Sequence, residues 1–504
     1  MRDCMGTRWR RPGWDRPARV LAAAALLLLA AACTLPPGDA GFSEVAQAVE
    51  ARTGAVPAWG RTDAERQEIA EAIDRLLEAR VGPDEAVAIA FLNSPRLQAG
   101  LEELGIARAD FLAALFPPNP FVEAMRFGGS DGGPASLEIG IAMPLLGLIL
   151  WPARIQVGEA GFEAAKAAAM AMLAEGASDV RMAYVEHVAA RQEVDLYEQA
   201  ESAGNAAATA ARAIFEAGNI ARVDYDRQRQ FAAQMTIERM RAEAEVGPSR
   251  ERLAAALGLS PAQADRLRTL SRLPAPPTDP VDPVRAGHLA GESGFQVAAA
   301  AAAMQATAVR QGMTGVESLL GNAELLAEFE RENGWSSGFG AGARVPLDLG
   351  LPARGRADAR VRQAYQHLLQ ARLDSQTGAR AAAMQVDAAR RMALYQREVA
   401  LPVSAAVFDG VVRDFNAMQI GIFQLLQARR DRVDAGRGYV DAVARYWRAR
   451  AALERHVRFA DVVEGAPAAP PDLSQPDPAP PDPAPPDPAT EDQDPETQPG
   501  HHHG

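Results

Sequence analysis

With 504 residues the chain is long enough for two or three ordinary domains, and 48% hydrophobic content suffices for a core. A net charge of −13 argues against nucleic acid as a partner. Aromatic residues make up only 6% and alanine dominates, which suits long, closely packed helices better than a thick globular core.

Residues 1–32 carry Arg8, Arg10, Arg11, Arg16 and Arg19, then an apolar run over 20–32 that ends at Cys33. A membrane-spanning helix needs about 20 apolar residues, so this shorter run reads as an export signal. Leu29-Ala30-Ala31-Ala32-Cys33 resembles a bacterial lipoprotein signal, in which the cysteine is acylated after cleavage. An ordinary signal peptide cut near the same place is the alternative. Cys4 lies in the removed part, so Cys33 has no disulfide partner in its own chain, which favours lipid attachment. Thr34 follows it, whereas Asp there would resemble an inner-membrane retention signal, so the expectation is sorting to the outer membrane, with 33–82 as the lipid-anchored N-terminal segment.

The chain then repeats itself at a spacing of 200 residues. Pro152-Ala153-Arg154 returns as Pro352-Ala353-Arg354, Phe215 as Phe415 and Arg229 as Arg429; Ala189-Ala190-Arg191 returns one residue off as Ala388-Ala389-Arg390. That period is too long for a solenoid and implies two homologous halves, 83–257 and 284–462. Each half predicts a helix (84–115; 284–311), a stretch of strands (119–146; 319–347) and a long helical region (153–257; 353–459). The Pro- and Asp-rich stretch 258–283 reads as a connecting loop.

Leu137, Ile139, Ile141 and Met143 alternate with Glu138, Gly140 and Ala142, and Phe339, Ala341, Ala343, Val345 and Leu347 alternate with Gly338, Gly340, Gly342 and Arg344. A third alternating run covers 319–329, and Phe121, Met125 and Phe127, interrupted by Glu123, make a weaker fourth strand. Apolar-out, polar-in strands of about 10 residues are what a membrane barrel needs, because lipid cannot satisfy an open strand edge. Four strands cannot close around a pore, whereas three copies would supply about twelve. The proline-free run 153–217 predicts a continuous helix of roughly 100 Å. The fold expected is therefore mainly α with a membrane β-barrel.

Asp84-Glu85-Ala86-Val87-Ala88-Ile89-Ala90, then Asn93-Ser94-Pro95-Arg96-Leu97 and Asn119-Pro120, resemble the opening of the TolC-like outer-membrane factors. Phe215-Glu216-Ala217-Gly218 with Asp224 six residues on resembles that family's helix-hairpin tip, and Leu401-Pro402 before Asp409 fits its second half. The resemblance covers about residues 83–460. It implies a homotrimer with a twelve-stranded barrel in the outer membrane and a long α-helical barrel in the periplasm. It also implies docking to a periplasmic adaptor protein and to an inner-membrane pump or type I secretion transporter. An adaptor-like periplasmic lipoprotein with long coiled helices and no pore is the competing reading; it has no use for four alternating segments in two matched places.

Carried over residue by residue, the resemblance places the adaptor-docking tip at Gly218, Asn219 and Ile220 and at Met418, Gln419 and Ile420. The gate falls on Asp224 and its counterpart Gln424, with Gln427, and with Asp409 and Asp414 as candidate substitutes. Here the chain departs from the family pattern. Met418 stands where the tip glycine belongs, Gln424 and Gln427 where carboxylates ring the closed tunnel, and Ile420 where a basic partner often sits. Asp224 equally fits a simple supporting role at a helix start, where a carboxylate contributes roughly 0.3–1 kcal/mol.

No enzyme chemistry is legible. Gly338-Phe339-Gly340-Ala341-Gly342 lies within a strand rather than between strand and helix, so it is no dinucleotide loop. Gly128-Gly129-Ser130-Asp131-Gly132-Gly133 reads as a surface hairpin loop between two strands. His187, His288, His367 and His456 lack metal-ligand spacing, and no nucleophile stands with a base. No cofactor is expected. Residues 463–504 hold eight acids after residue 470, no Lys or Arg, and Pro-Asp-Pro-Ala repeats, which predict a disordered tail; its His501–His503 run is incidental or a weak metal ligand.

Overall fold

The computed structural model describes residues 38–127, 136–320, 322–331, 335–344, 348 and 350–463. Cys33, the export signal, the loop 128–133 and the acidic tail beyond 463 lie outside the described residues.

Two helices precede the repeat, in the N-terminal segment 33–82: α1, Phe42–Thr53, and α2, Asp63–Glu78. Thr62 starts α2 through a capping box, its hydroxyl accepting from the Glu65 N–H while Glu65 accepts from the Thr62 N–H. Each half then opens on a broken helix rather than one continuous helix. In the first half α3 (Pro83–Asn93) ends at Ser94, held extended before Pro95, and α4 (Pro95–Leu115) begins there.

After α4 come β1 (Phe121–Phe127), β2 (Ser136–Pro144) and the short α5 (Leu145–Ile149). The long helix α6 (Trp151–Glu216) returns to α7 (Arg222–Leu257). The connecting stretch is more than a loop. It holds α8 (Pro261–Arg266), and bridges from Thr269 to Val81 and from Val281 to Val463 tie it to the start of the first half and the end of the second.

The second half repeats the order almost to the residue. It runs α9 (Pro283–Ser293), a break at Gly294, α10 (Phe295–Leu320), β3 (Asn322–Arg331), β4 (Trp335–Arg344), α11 (Leu351–Tyr395), a π-helical turn over Gln396–Ala400, α12 (Leu401–Asn416) and α13 (Ile422–Glu454). Among the described residues the π turn breaks the symmetry, for α6 runs straight through the matching positions. Pro402 gives its cause: the proline has no N–H and its ring would strike the carbonyl of Glu398 in a regular α-helix. There the Leu401 N–H reaches back five residues to the Gln396 carbonyl. A π turn holds one residue more than an α turn, which restores the 200-residue spacing by Phe415 after the one-residue slip at Ala388–Arg390.

Two matched cores hold the halves. Phe91, Leu101, Leu104, Leu173, Tyr184, Leu253 and Leu257 are fully buried in the first, and Val386, Tyr446 and Leu453 in the second. Ala86 and Ala90 in one and Ala286 and Ala290 in the other have no solvent exposure, so small residues set helix spacing at equivalent points. Asn93 closes the end of α7 by donating from Nδ2 to the Gly258 carbonyl at 2.7 Å. Gly258 has φ +71°, and a Cβ there would sit 2.6 Å from the Asn93 carbonyl oxygen, so both the turn and the close approach require glycine.

The four strands form one antiparallel sheet in the order β1-β2-β3-β4. Opposed residues share a face, so the register aligns Val122 with Ile141 and Ala327, and Glu123 with Gly140 and Glu328. The apolar row of β1 is therefore Val122 and Ala124. Phe121, Met125 and Phe127, read from sequence as the apolar side, share the face of Glu123 and Glu138, because pairing with β2 fixes the register and a one-residue offset exchanges the faces.

Candidate functional site

The expected tip residues close two helical hairpins. After α6 the Gly218 N–H donates to the Phe215 carbonyl at 2.9 Å and the Asn219 N–H to the Ile214 carbonyl at 3.0 Å, with Gly218 at φ +77°. This glycine-terminated turn satisfies the last helix carbonyls, and α7 leaves it in extended backbone at Ala221. At the second tip the Met418 N–H donates to the Phe415 carbonyl and the Gln419 N–H to the Asp414 carbonyl, both at 2.9 Å, with Met418 at φ +61°. The same turn is thus built on methionine, whose side chain is 94% exposed.

The hairpins stand side by side. The Arg227 guanidinium lies 5.7 Å from the Phe423 ring centroid of the other hairpin and 3.2 Å from the Asp224 carboxylate of its own. Further from the tips, Phe231, Met235 and Leu426 bury together with Ala200. Arg429 donates to the Ala203 carbonyl at 3.0 Å and lies about equally far from the rings of Phe231 and Phe408, at 6.0 and 5.9 Å. Burial lowers its pKa from the usual arginine value. Its repeat partner Arg229 is exposed and pairs with Asp226 at 3.4 Å. The repeat revealed both arginines but not which one pins the hairpins, since that depends on the neighbouring helix.

Of the expected gate residues, Asp224, Gln427 and Asp409 each find a partner within their own hairpin. Asp224 pairs with Arg227, Gln427 donates to Asp431 at 2.7 Å, and Asp409 lies 3.9 Å from Arg432. Gln424 and Asp414 are exposed beside the second tip. Asp224 also occupies the third position of α7, so its role in supporting the helix start is present in the geometry.

At the other end of the molecule's long helices lies the sheet. Among the described residues no helix is long and apolar enough to cross a membrane. Helix α10 packs between α6 and α11, with α4 on the far side of α6, so the layer below the sheet runs α4-α6-α10-α11. Nearer the tips the layer runs α7-α6-α13 and then α11 with α12.

Comparison with known proteins agrees with this architecture. Residues 89–259, nearly the whole first half, match the family described as outer membrane efflux protein. Among curated proteins none matches the chain. Several solved structures share the fold. The outer-membrane channel OprN has 16% identity over 82% of this chain and 95% of its own, with a TM-score of 0.63. The outer membrane protein VceC of Vibrio cholerae has 14% identity over 79% and 99%, at 0.62. The CmeC outer membrane channel of Campylobacter jejuni has 10% identity over 79% and 87%, at 0.62. The first half thus matches the outer membrane efflux protein family, and the chain as a whole shares the fold of these outer-membrane channels.

Proposed function

We propose that three copies of this chain close into a passive export duct, the outer-membrane channel of a tripartite efflux or type I secretion system. The observation that carries the reading is a coincidence of open edges. The sheet ends on β1 and β4, whose outer edges have no strand partner among the described residues. The helical layers end on the neighbouring elements: α4 and α11 below the sheet, α7 and α12 near the tips. These same helices carry exposed large apolar side chains, Ile106 on α4, Ile237 and Met240 on α7, Leu373 on α11, and Val403 and Val407 on α12. A surface whose two sides differ and are both unsatisfied joins head to tail, and a ring is the closed result. In lipid the sheet must close, and three chains give the twelve strands of a barrel.

In this reading the sheet crosses the outer membrane, the helices extend into the periplasm, and nothing in the chain catalyses a reaction. Gly218 to Ile220 and Met418 to Ile420 form the tip that meets the periplasmic adaptor, and an inner-membrane pump supplies the energy. The constriction lies between Asp224, Gln424 and Gln427, with Asp409 and Asp414 as further charges. Cys33 carries the lipid; metabolic labelling with a fatty acid is expected to mark the parent and leave Cys33→Ser unlabelled.

The deciding experiment is mass measurement of the purified full chain in detergent, followed by single-channel recording in planar bilayers. Trimers with discrete conductance steps are expected. A stable monomer, or a trimer that leaves bilayers silent, overturns the duct and favours a coiled periplasmic lipoprotein.

A further inference from the structure

Below the sheet, residues of α6, α10 and α11 line a cavity of about 600 Å³. Because α10 lies between the other two helices, a cavity touched by all three is on the concave side of that layer. Its polar lining comes from stripes at helical spacing: Thr307, Arg310 and Gln311 on α10, and Arg360, Gln363 and His367 on α11. Alanines and Val157 make up the rest. No carboxylate lines it. Arg310 and Arg360 make no ion pair among the described residues, whereas Arg212 of α6 and Arg390 of α11 are each paired with a carboxylate.

Gln311 adds an independent sign. It is 7% exposed, it lines the cavity, and its buried Oε1 accepts no hydrogen bond. A buried amide oxygen left without a donor costs about 1–3 kcal/mol, so such groups are commonly completed by a ligand or water. Two guanidiniums without an ion-pair partner among the described residues and an unsatisfied acceptor, lining one space of drug or metabolite size, define a ligand class.

We propose that this cavity binds an anionic solute, a carboxylate or phosphate ester, that also carries a hydroxyl or N–H donor. The anion lies between Arg310 and Arg360, and the donor bonds to Gln311. The site belongs to a single chain, so it stands or falls separately from the duct; if the chain does form a duct, the concave side faces its interior.

The test is titration calorimetry of the detergent-solubilised full chain with three ligands of similar shape: 4-hydroxybenzoate, benzoate and the cation benzamidine. The expected order is 4-hydroxybenzoate, then benzoate, with benzamidine silent. Arg310→Ala/Arg360→Ala is expected to weaken 4-hydroxybenzoate by about tenfold or more, and Gln311→Leu to erase its advantage over benzoate. Both arginines are exposed, and unchanged melting of the double variant will confirm that its fold is intact. Affinity that survives the double arginine change, equal binding of benzamidine, or no saturable binding of either carboxylate at millimolar concentration overturns the site. Bilayer conductance tests the duct and leaves this outcome untouched.

Discussion

Met418 occupies, 200 residues on, the left-handed backbone position that Gly218 occupies in the first hairpin, with the same pair of hydrogen bonds closing the turn. For a residue with a Cβ this conformation costs about 1–2 kcal/mol, partly offset because glycine frees the unfolded chain. Met418→Gly is therefore expected to raise stability by up to about 1 kcal/mol in denaturant titration. In the proposed duct the exposed methionine meets the adaptor, so the same variant is expected to bind adaptor more weakly in a pull-down. A methionine kept at a strained position for docking requires both effects.

Arg429 and Arg229 separate a pinning arginine from a surface one. Arg429→Ala removes the bond to the Ala203 carbonyl and two ring contacts and is expected to cost about 2 kcal/mol. Arg229→Ala is expected to stay within about 0.5 kcal/mol. Equal losses in urea unfolding would contradict the packing of the hairpins.

Glu454 accepts from Arg450 at 2.9 Å and faces Arg181 at 3.2 Å, and Arg181 also reaches Asp84 at 2.9 Å. Burial works against the carboxylate, but Arg181 and Arg450 outweigh it and hold its pKa below the usual range. Glu454→Ala leaves two guanidiniums short of a counter-charge and is expected to destabilise by about 3 kcal/mol, measured by thermal or chemical unfolding.

His187 sets a pH dependence. Burial first, then the nearby charges of Arg191 and Arg250, pull its pKa down to about 4, and its Nδ1 lies 3.2 Å from the Ser249 hydroxyl. Between pH 6.5 and about 4 the unfolded chain takes up a proton that the native chain refuses, so stability falls as pH falls through that window. His456, also lowered by burial and by Arg455 and Arg52, adds in the same direction. Melting temperature is expected to drop from pH 7 to pH 5, and His187→Gln to flatten the drop.

Within the proposed duct the Asp224–Arg227 pair predicts the sign of the tip's field. Paired, the two residues contribute little net charge. Asp224→Ala leaves three arginines around the opening and is expected to shift reversal potentials toward anions, whereas Arg227→Ala shifts them toward cations. Asp409→Ala/Asp414→Ala is expected to move selectivity toward anions as well. If none of these variants alters reversal potential or divalent block, the constriction lies elsewhere.

The architecture was legible where backbone chemistry is local. The repeat predicted a long helical region in each half and the family resemblance its hairpin tips, and the turns fall at Gly218 and Met418. The break at Ser94 was present in Pro95, and the α2 cap in Thr62 and Glu65, yet neither stands out without knowing which contacts reward it. What stayed hidden depends on neighbours. Phe121 and Val122 are equally strand-like until β2 fixes the register. Lys166, buried beside Phe162 and paired with Glu44 at 2.7 Å, anchors α1 through a residue type that sequence places on surfaces. The cavity around Gln311 needs three helices that sequence reading treats one at a time.

The π turn at Gln396–Ala400 gives the two hairpins different mechanics. In the first, α6 is an unbroken stave from the sheet to the tip. In the second, the stave is interrupted before Pro402, and α12 beyond it is a lever about 25 Å long. A tilt of about 10° at that hinge would carry the second tip about 4 Å sideways while the first stayed fixed. Around a ring, such levers would set the aperture, and the stiffer hairpins would serve as its frame.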